Sequence, residues 1–288
     1  MDDLQKYADQ AMHEINNKPK AEFMGYSPME MHNLLYEPFG KYSPVMFHDP
    51  GEVYYKTIPV LNQVRFLANL IEQAGELKLT DLGYLPPQVV IRIYEQGFLR
   101  DKYIESGFLK LRKEMDFPEI GLSRILLLLS GLVKKRNNKL SLTASAKKVL
   151  DNNPMLLRKL FEVYCLKFNW AYLDLYGDNN IGQFGFGFSL VLLDKFGDEQ
   201  RNTRFYAGKY FQAFPALTVN LHPRYFKDEQ WSCYSLRTFQ RFLTYFGLTI
   251  ETADDHKPRT DRIVQKSPLF NRLIQCNPHR VFDSGLSL

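Results

Sequence analysis

Cysteine is scarce in this chain: Cys165, Cys233 and Cys276 are the only three among 288 residues, far apart and without a CxxC pair. That spacing excludes a zinc knuckle and offers no disulfide framework. The six histidines, at 13, 32, 48, 222, 256 and 279, form no HxH or HxxxH pattern, so no metal and no cofactor is expected. No GxSxG elbow, Cys–His motif or telling carboxylate pair appears. The chain is therefore read as non-enzymatic, with a site assembled from distant residues as the alternative. Long apolar runs are missing too, since stretches such as Ile125 to Leu129 are far too short to span a bilayer. The opening MDDLQKYADQ has neither the basic nor the apolar region of a signal peptide. The expectation is a soluble, reduced, cytoplasmic protein with no membrane partner. A dominant charge is lacking as well: 37 Lys and Arg against 32 Asp and Glu leave a net +5, too little by itself to argue for a nucleic-acid partner.

What is present is enough apolar and aromatic side chain, 45% and 14%, to build real cores in one large or two ordinary domains. Leu4, Tyr7, Ala8, Ala11 and Ile15 fall at helical spacing over residues 3–16, which predicts an amphipathic first helix. Ser27-Pro28-Met29-Glu30 is a capping box with proline in the first turn, so a second helix starts there and stops before Pro38. The span 37–59, holding Pro38, Pro44, Pro50 and Pro59, reads as a linker or surface loop. A helix over Val60–Ala74, a short strand Leu77–Thr80, a helix from Pro86-Pro87 to Gln96 and a helix over 119–130 follow. Strands Leu132–Arg136 and Lys139–Thr143, joined by Asn137-Asn138, make a tight hairpin, and a helix spans Ala144–Leu150. Helix, strand, helix, helix, hairpin is the order of a winged helix.

Leu79-Thr80-Asp81-Leu82-Gly83-Tyr84-Leu85-Pro86, Gly131-Leu132-Val133 and Leu140-Ser141-Leu142-Thr143 resemble a pattern in uncharacterised bacterial proteins. Those are similar to the C-terminal half of proteins of the plasmid open-reading-frame-three type, and the resemblance covers roughly residues 75–150. It implies a winged-helix-like segment and carries no activity. Two departures from the pattern are Ala146, where a glycine is expected, and residues 98–118, which separate two helices that a compact winged helix joins tightly. Asn16-Asn17-Lys18-Pro19 with Gly25-Tyr26-Ser27-Pro28-Met29-Glu30 also resembles the segment that closes transposase integrase domains. Those enzymes place an acidic core before it, whereas one short helix precedes it here, so the match is read as a helix start.

A possible internal repeat follows. Leu236 to Gly247 ends in Gly-Leu as Leu122 to Gly131 does, with strands Leu248–Ala253 and Arg262–Gln265 and a helix from Ser267 after it. The expected fold is mostly α with small β-hairpins. It comprises a helical arm and Pro-rich linker over 1–59, a winged-helix-like unit over 60–153, and a helical C-terminal domain over 154–288 in which a second winged-helix unit in tandem is indicated.

Lys134, Lys135, Arg136 and Lys139, with Lys147 and Lys148 behind them, carry six positive charges with no acid between Gly131 and Leu150. Like charges paired across a hairpin repel, and a phosphate backbone would relieve them; a solvated hairpin tip is the plain alternative. On the third helix of the first unit, Leu122, Ile125, Leu126 and Leu129 are expected to face the core, leaving Arg124, Leu127 and Leu128 outward. Leucines suit a protein or oligomer interface better than DNA reading. On the matching helix of the second unit, Arg237, Gln240, Arg241 and Thr244 are expected outward, with Lys257 and Arg259 at its wing. These are residue types that contact bases and phosphate, although a solvated polar face reads the same way. The aromatic stretch Phe161, Tyr164, Phe168, Tyr172 and Tyr176 has the spacing of a core face. Gly182-Gln183-Phe184-Gly185-Phe186-Gly187 lacks the Lys-Ser/Thr of a phosphate loop. The function expected is a regulatory binding module for nucleic acid. The alternative is a protein-interaction or homo-oligomerisation module built on Leu127 and Leu128, and an enzyme ranks third.

Overall fold

The computed structural model describes residues 2–172, 174–218, 229–252 and 262–280. Their fold is mostly helical with small antiparallel sheets. The chain opens with α1 (Asp2–Asn17) and α2 (Pro28–Tyr36). Ser27 caps α2 as its sequence demands: its Oγ accepts from the Glu30 amide (3.3 Å), while Glu30 Oε2 accepts from the Ser27 amide (2.8 Å). The span expected as a linker holds strand β1 (Val45–Phe47) and a helical turn, α3 (Glu52–Tyr55).

Next come α4 (Pro59–Ala74), β2 (Leu77–Lys78), α5 (Pro87–Glu95), α6 (Lys102–Glu105), α7 (Pro118–Leu129), β3 (Val133–Arg136), β4 (Lys139–Leu142), α8 (Ala146–Leu150) and α9 (Asn153–Leu166). The rest comprises α10 (Phe186–Phe196), β5 (Arg201–Asn202), α11 (Thr203–Ala213) and α12 (Glu229–Tyr234), which passes into a wider-wound π-type helix over Ser235–Leu243. Strands β6 (Thr249–Thr252) and β7 (Ile263–Lys266), helix α13 (Phe270–Leu273) and strand β8 (Ile274–Cys276) complete it. β8 pairs antiparallel with β1, Val45 opposite Cys276, which no local pattern announces.

The chain forms two units. One comprises Met1–His48, Asp178–Phe239 and Thr249–Leu288; the other comprises Asp49–Gly177 and Gln240–Leu248. This differs from three consecutive spans, because the chain leaves the first unit, builds the second, and later returns residues 240–248 to it. Both halves of the repeat have one topology. Helices α4, α5 and α7 with strands β2, β3 and β4 give sheet order β2-β4-β3; helices α10, α11 and α12 with β5, β6 and β7 give β5-β7-β6. Each third helix stops at a left-handed glycine, Gly131 (φ 72°) or Gly247 (φ 71°), followed by a buried leucine, Leu132 or Leu248.

In the unit built on 49–177, α7 packs on both α4 and α9. Leu61, Val64, Leu67 and Ile71 of α4 are buried with Ile120, Leu126 and Leu127 of α7 and Leu156 and Leu160 of α9. Two polar devices sit in this core. Gln63 Nε2 donates to Ser123 Oγ (2.6 Å) and to the Glu119 carbonyl (2.7 Å), and the Tyr245 hydroxyl lies 2.8 Å from Ser123 Oγ. The second is a buried ion pair: Arg124 Nη2 donates to Glu114 Oε1 (2.7 Å), while Glu114 Oε2 accepts from the Leu85 amide (2.7 Å). Gly121 makes room for it, since a Cβ there would lie 2.7 Å from Glu114 Oε1.

Replacing Glu114 by Ala leaves a buried guanidinium and a buried amide without their carboxylate, so unfolding should become easier by roughly 3–5 kcal/mol. Urea unfolding of E114A beside the wild type measures this, and a loss below about 1 kcal/mol would show that the pair is dispensable.

Candidate nucleic-acid interface

The β3–β4 hairpin turns on Asn137 (φ 47°) and Asn138 (φ 57°), a pair of left-handed residues that asparagine tolerates and that matches strand twist. The turn sets the register: Arg136 faces Lys139, Lys135 faces Leu140 and Lys134 faces Ser141. β2 pairs on the other side of β4, placing Lys78 opposite Lys139. Residues directly opposite share a face of the sheet. Lys78, Lys139 and Arg136 therefore form a row across three strands, roughly 10 Å from end to end at ordinary strand spacing. Lys134 stands two residues along β3 on the same face, and all four side chains are exposed.

The other face of the sheet carries Val133 and Leu140, both buried. Lys135 has that parity. It escapes the core by reaching over the Gly83 turn, where its Nζ would stand 2.9 Å from a Cβ at that glycine. The run of hairpin charges is thus divided between faces by strand alternation. Lys147 and Lys148 are exposed on α8.

Glu76 completes the cationic face. Lys139 Nζ donates to Glu76 Oε2 at 2.7 Å, both side chains about half exposed. The hydrogen bond from Lys139 holds the Glu76 carboxyl below its ordinary range, and the charges of Lys139, Lys134 and Arg136 act in the same direction. Three cations from two strands therefore bear on one carboxylate. Sequence reasoning missed both Lys78 and Glu76. The signal was available in the alternation of Leu77-Lys78-Leu79, which puts Lys78 on the polar side, but it needed the β2–β4 pairing to place Lys78 beside Lys139.

The two third helices are arranged otherwise than expected. On α7, Arg124 is buried against Glu114, Leu127 is buried in the unit's own core, Leu128 is half-buried and Leu129, expected inside, is exposed. The reason is that α7 packs on α4 and α9 together, so its buried arc is wider than a single stripe. Leu127 is thus not an interface residue.

On the π-type helix Arg237 is 0% exposed, not outward. Its Nη1 donates to the Asn179 carbonyl (2.7 Å), Asn179 Oδ1 (2.9 Å) and the Ile181 carbonyl (3.4 Å). Gln240 is half-buried. Arg241 is largely covered: its Nη1 donates to the Tyr172 carbonyl (2.9 Å) and lies 3.7 Å from Asp174 Oδ2. Wider winding takes these positions out of the 3.6-residue phase on which the outward face was read. Lys257 and Arg259 lie outside the described residues.

The glycine-rich stretch is spent on packing. Gly182 N donates to the Tyr210 hydroxyl (3.1 Å), and a Cβ on Gly185 or Gly187 would strike Phe214 or Leu34. Phe161, Tyr164 and Phe168 are core residues, whereas Tyr172 is partly exposed. Burial raises the thiols of Cys165 and Cys276 well above the ordinary range, which keeps them protonated and poor nucleophiles at neutral pH. Among the described residues no three His, Cys, Asp or Glu side chains converge as a metal site requires, and no helix is long and apolar enough to cross a membrane. No protein-family model, curated protein or solved structure matches this chain.

Arg237→Ala should act on stability and not on ligand binding, costing roughly 1–3 kcal/mol for each carbonyl left unpaired. Thermal unfolding and nucleic-acid titration of R237A make the comparison. Unchanged stability with weakened binding would restore Arg237 to a ligand-facing role.

Proposed function

We propose that this protein is a non-enzymatic, cytoplasmic binding module built from two winged-helix-like units, and that it binds nucleic acid through phosphate, without reading sequence. The observation that carries this reading is the row Lys78, Lys139 and Arg136, with Lys134 beside it, on the exposed face of the β2-β4-β3 sheet. Like charges opposite one another on a sheet are destabilising, and a polyanion offsets that repulsion while releasing its condensed counterions. The absence of sequence reading rests on α7 and on the π-type helix, where Arg124 and Arg237 are buried and Arg241 is tied to the Tyr172 carbonyl. The winged-helix assignment rests on element order and on the first strand lying beside the last in both sheets.

A protein-interaction or oligomerisation module is the second reading. What favours it is α1, whose Leu4, Tyr7, Met12 and Ile15 are exposed along one helix.

The test is titration of random-sequence duplex and single-stranded oligonucleotides at low salt. The triple variant K134A/R136A/K139A should bind at least about tenfold more weakly, and its slope of log K against log salt should be shallower by up to about three. No salt-dependent binding by the wild type at micromolar protein would leave the interaction module as the better account, and sedimentation would then read its oligomeric state.

A further inference from the structure

The outer face of the β2-β4-β3 sheet is cationic but not empty of anions, because Glu76 already lies on Lys139 at 2.7 Å. Strand parity puts Lys78, Lys134, Arg136, Lys139 and Ser141 on this face and no aromatic residue among them. Single-strand binders combine cations with aromatic platforms on which bases stack. A face with cations alone gains only from phosphate, and its gain grows with phosphate density. Duplex presents twice the phosphate per unit length of a single strand.

We propose that Glu76 is a built-in competitor for phosphate on this face, so that binding requires displacement of its carboxylate from Lys139. This rests on the phosphate-binding reading above. Glu76 sits just before β2, and its carboxylate lies on Lys139, the middle cation of the row, so a phosphate reaching that ammonium competes with it. The same three cations that hold Glu76 ionised, Lys139, Lys134 and Arg136, are those a phosphate would take from it. A dense polyanion supplies several new contacts for the one lost. A sparse one does little better than exchange one carboxylate for one phosphate.

The experiment compares wild type with E76Q, using a 20-base-pair duplex, a single-stranded 20-mer and inorganic phosphate at several salt concentrations. Glutamine keeps the size of the side chain and removes its charge at an exposed position, and matched melting curves confirm that the fold is intact. E76Q should bind the duplex roughly 2- to 5-fold more tightly, the range of a surface ion pair, with a salt slope steeper by up to about one. Its gain for the single strand should be no larger, because the cost of freeing Lys139 is the same for either ligand. In a K139A background the E76Q gain should shrink. If the wild type binds and E76Q matches it in affinity and slope, Glu76 is a spectator; this inference is then overturned and the phosphate-binding reading stands. If neither protein binds either oligonucleotide, both fall. Binding by E76Q alone supports the displacement directly, and inorganic phosphate should likewise bind E76Q more tightly than the wild type.

Discussion

The return of residues 240–248 to the unit built on 49–177 is the constraint from which most other features follow. Phe242 and Phe246 meet Phe161, Tyr164 and Trp170 in one aromatic cluster, with Tyr164 stacked on Phe242 at 5.6 Å and Phe161 tilted against Phe246 at 4.2 Å between ring centroids. Each such ring removes a large apolar area from water and adds a geometric preference to it. The same segment is fastened by polar groups. The Tyr164 hydroxyl donates to the Arg241 carbonyl (2.9 Å), the Val60 amide donates to the Tyr245 carbonyl (3.0 Å), and the Tyr245 hydroxyl joins the network of Gln63 and Ser123. Burial raises the Tyr245 phenol, so it serves there as a neutral hydroxyl.

A helix fixed in this way on several sides leaves only a narrow, half-buried strip that includes Leu236, Gln240 and Thr244. Arg237 and Arg241 illustrate the consequence: one tethers the loop at Asn179 and Ile181, the other the backbone at Tyr172. Guanidinium groups buried among carbonyls trade solvation for several directed hydrogen bonds, and they fix loop conformation more than they add net stability. The exposed cations of the β2-β4-β3 sheet are of a different kind. They are held in register by a two-residue turn and sheet pairing, with Glu76 as a partial counter-ion, and their arrangement costs repulsion unless an anion is present.

Much of the local architecture was legible. The Ser27–Glu30 box, Pro59 at the head of α4, the Asn137-Asn138 turn and the Gly-Leu stops at 131 and 247 are local signals whose physics depends on a few neighbouring residues. They were enough to place most helices and strands of residues 60–150 and to expose the internal repeat. The hairpin cations were legible as a cluster, but not as a row with Lys78, nor as divided between two faces.

What the sequence by itself determined is therefore the elements and their order, because capping, turn chemistry and periodicity act over three or four residues. Only the tertiary structure decided the buried face of α7 and of the π-type helix. Leu127 lies inside because α7 has helices on two sides, and Arg237 lies inside because the helix there is wound more widely than a 3.6-residue period assumes. Strand β1 exists because residues 274–276 pair with it, and Lys78 belongs to the cationic row because β2 lies beside β4. The cases of Leu127, β1 and Lys78 depend on partners dozens to hundreds of residues away, and no pattern within a short window carries those partners' positions.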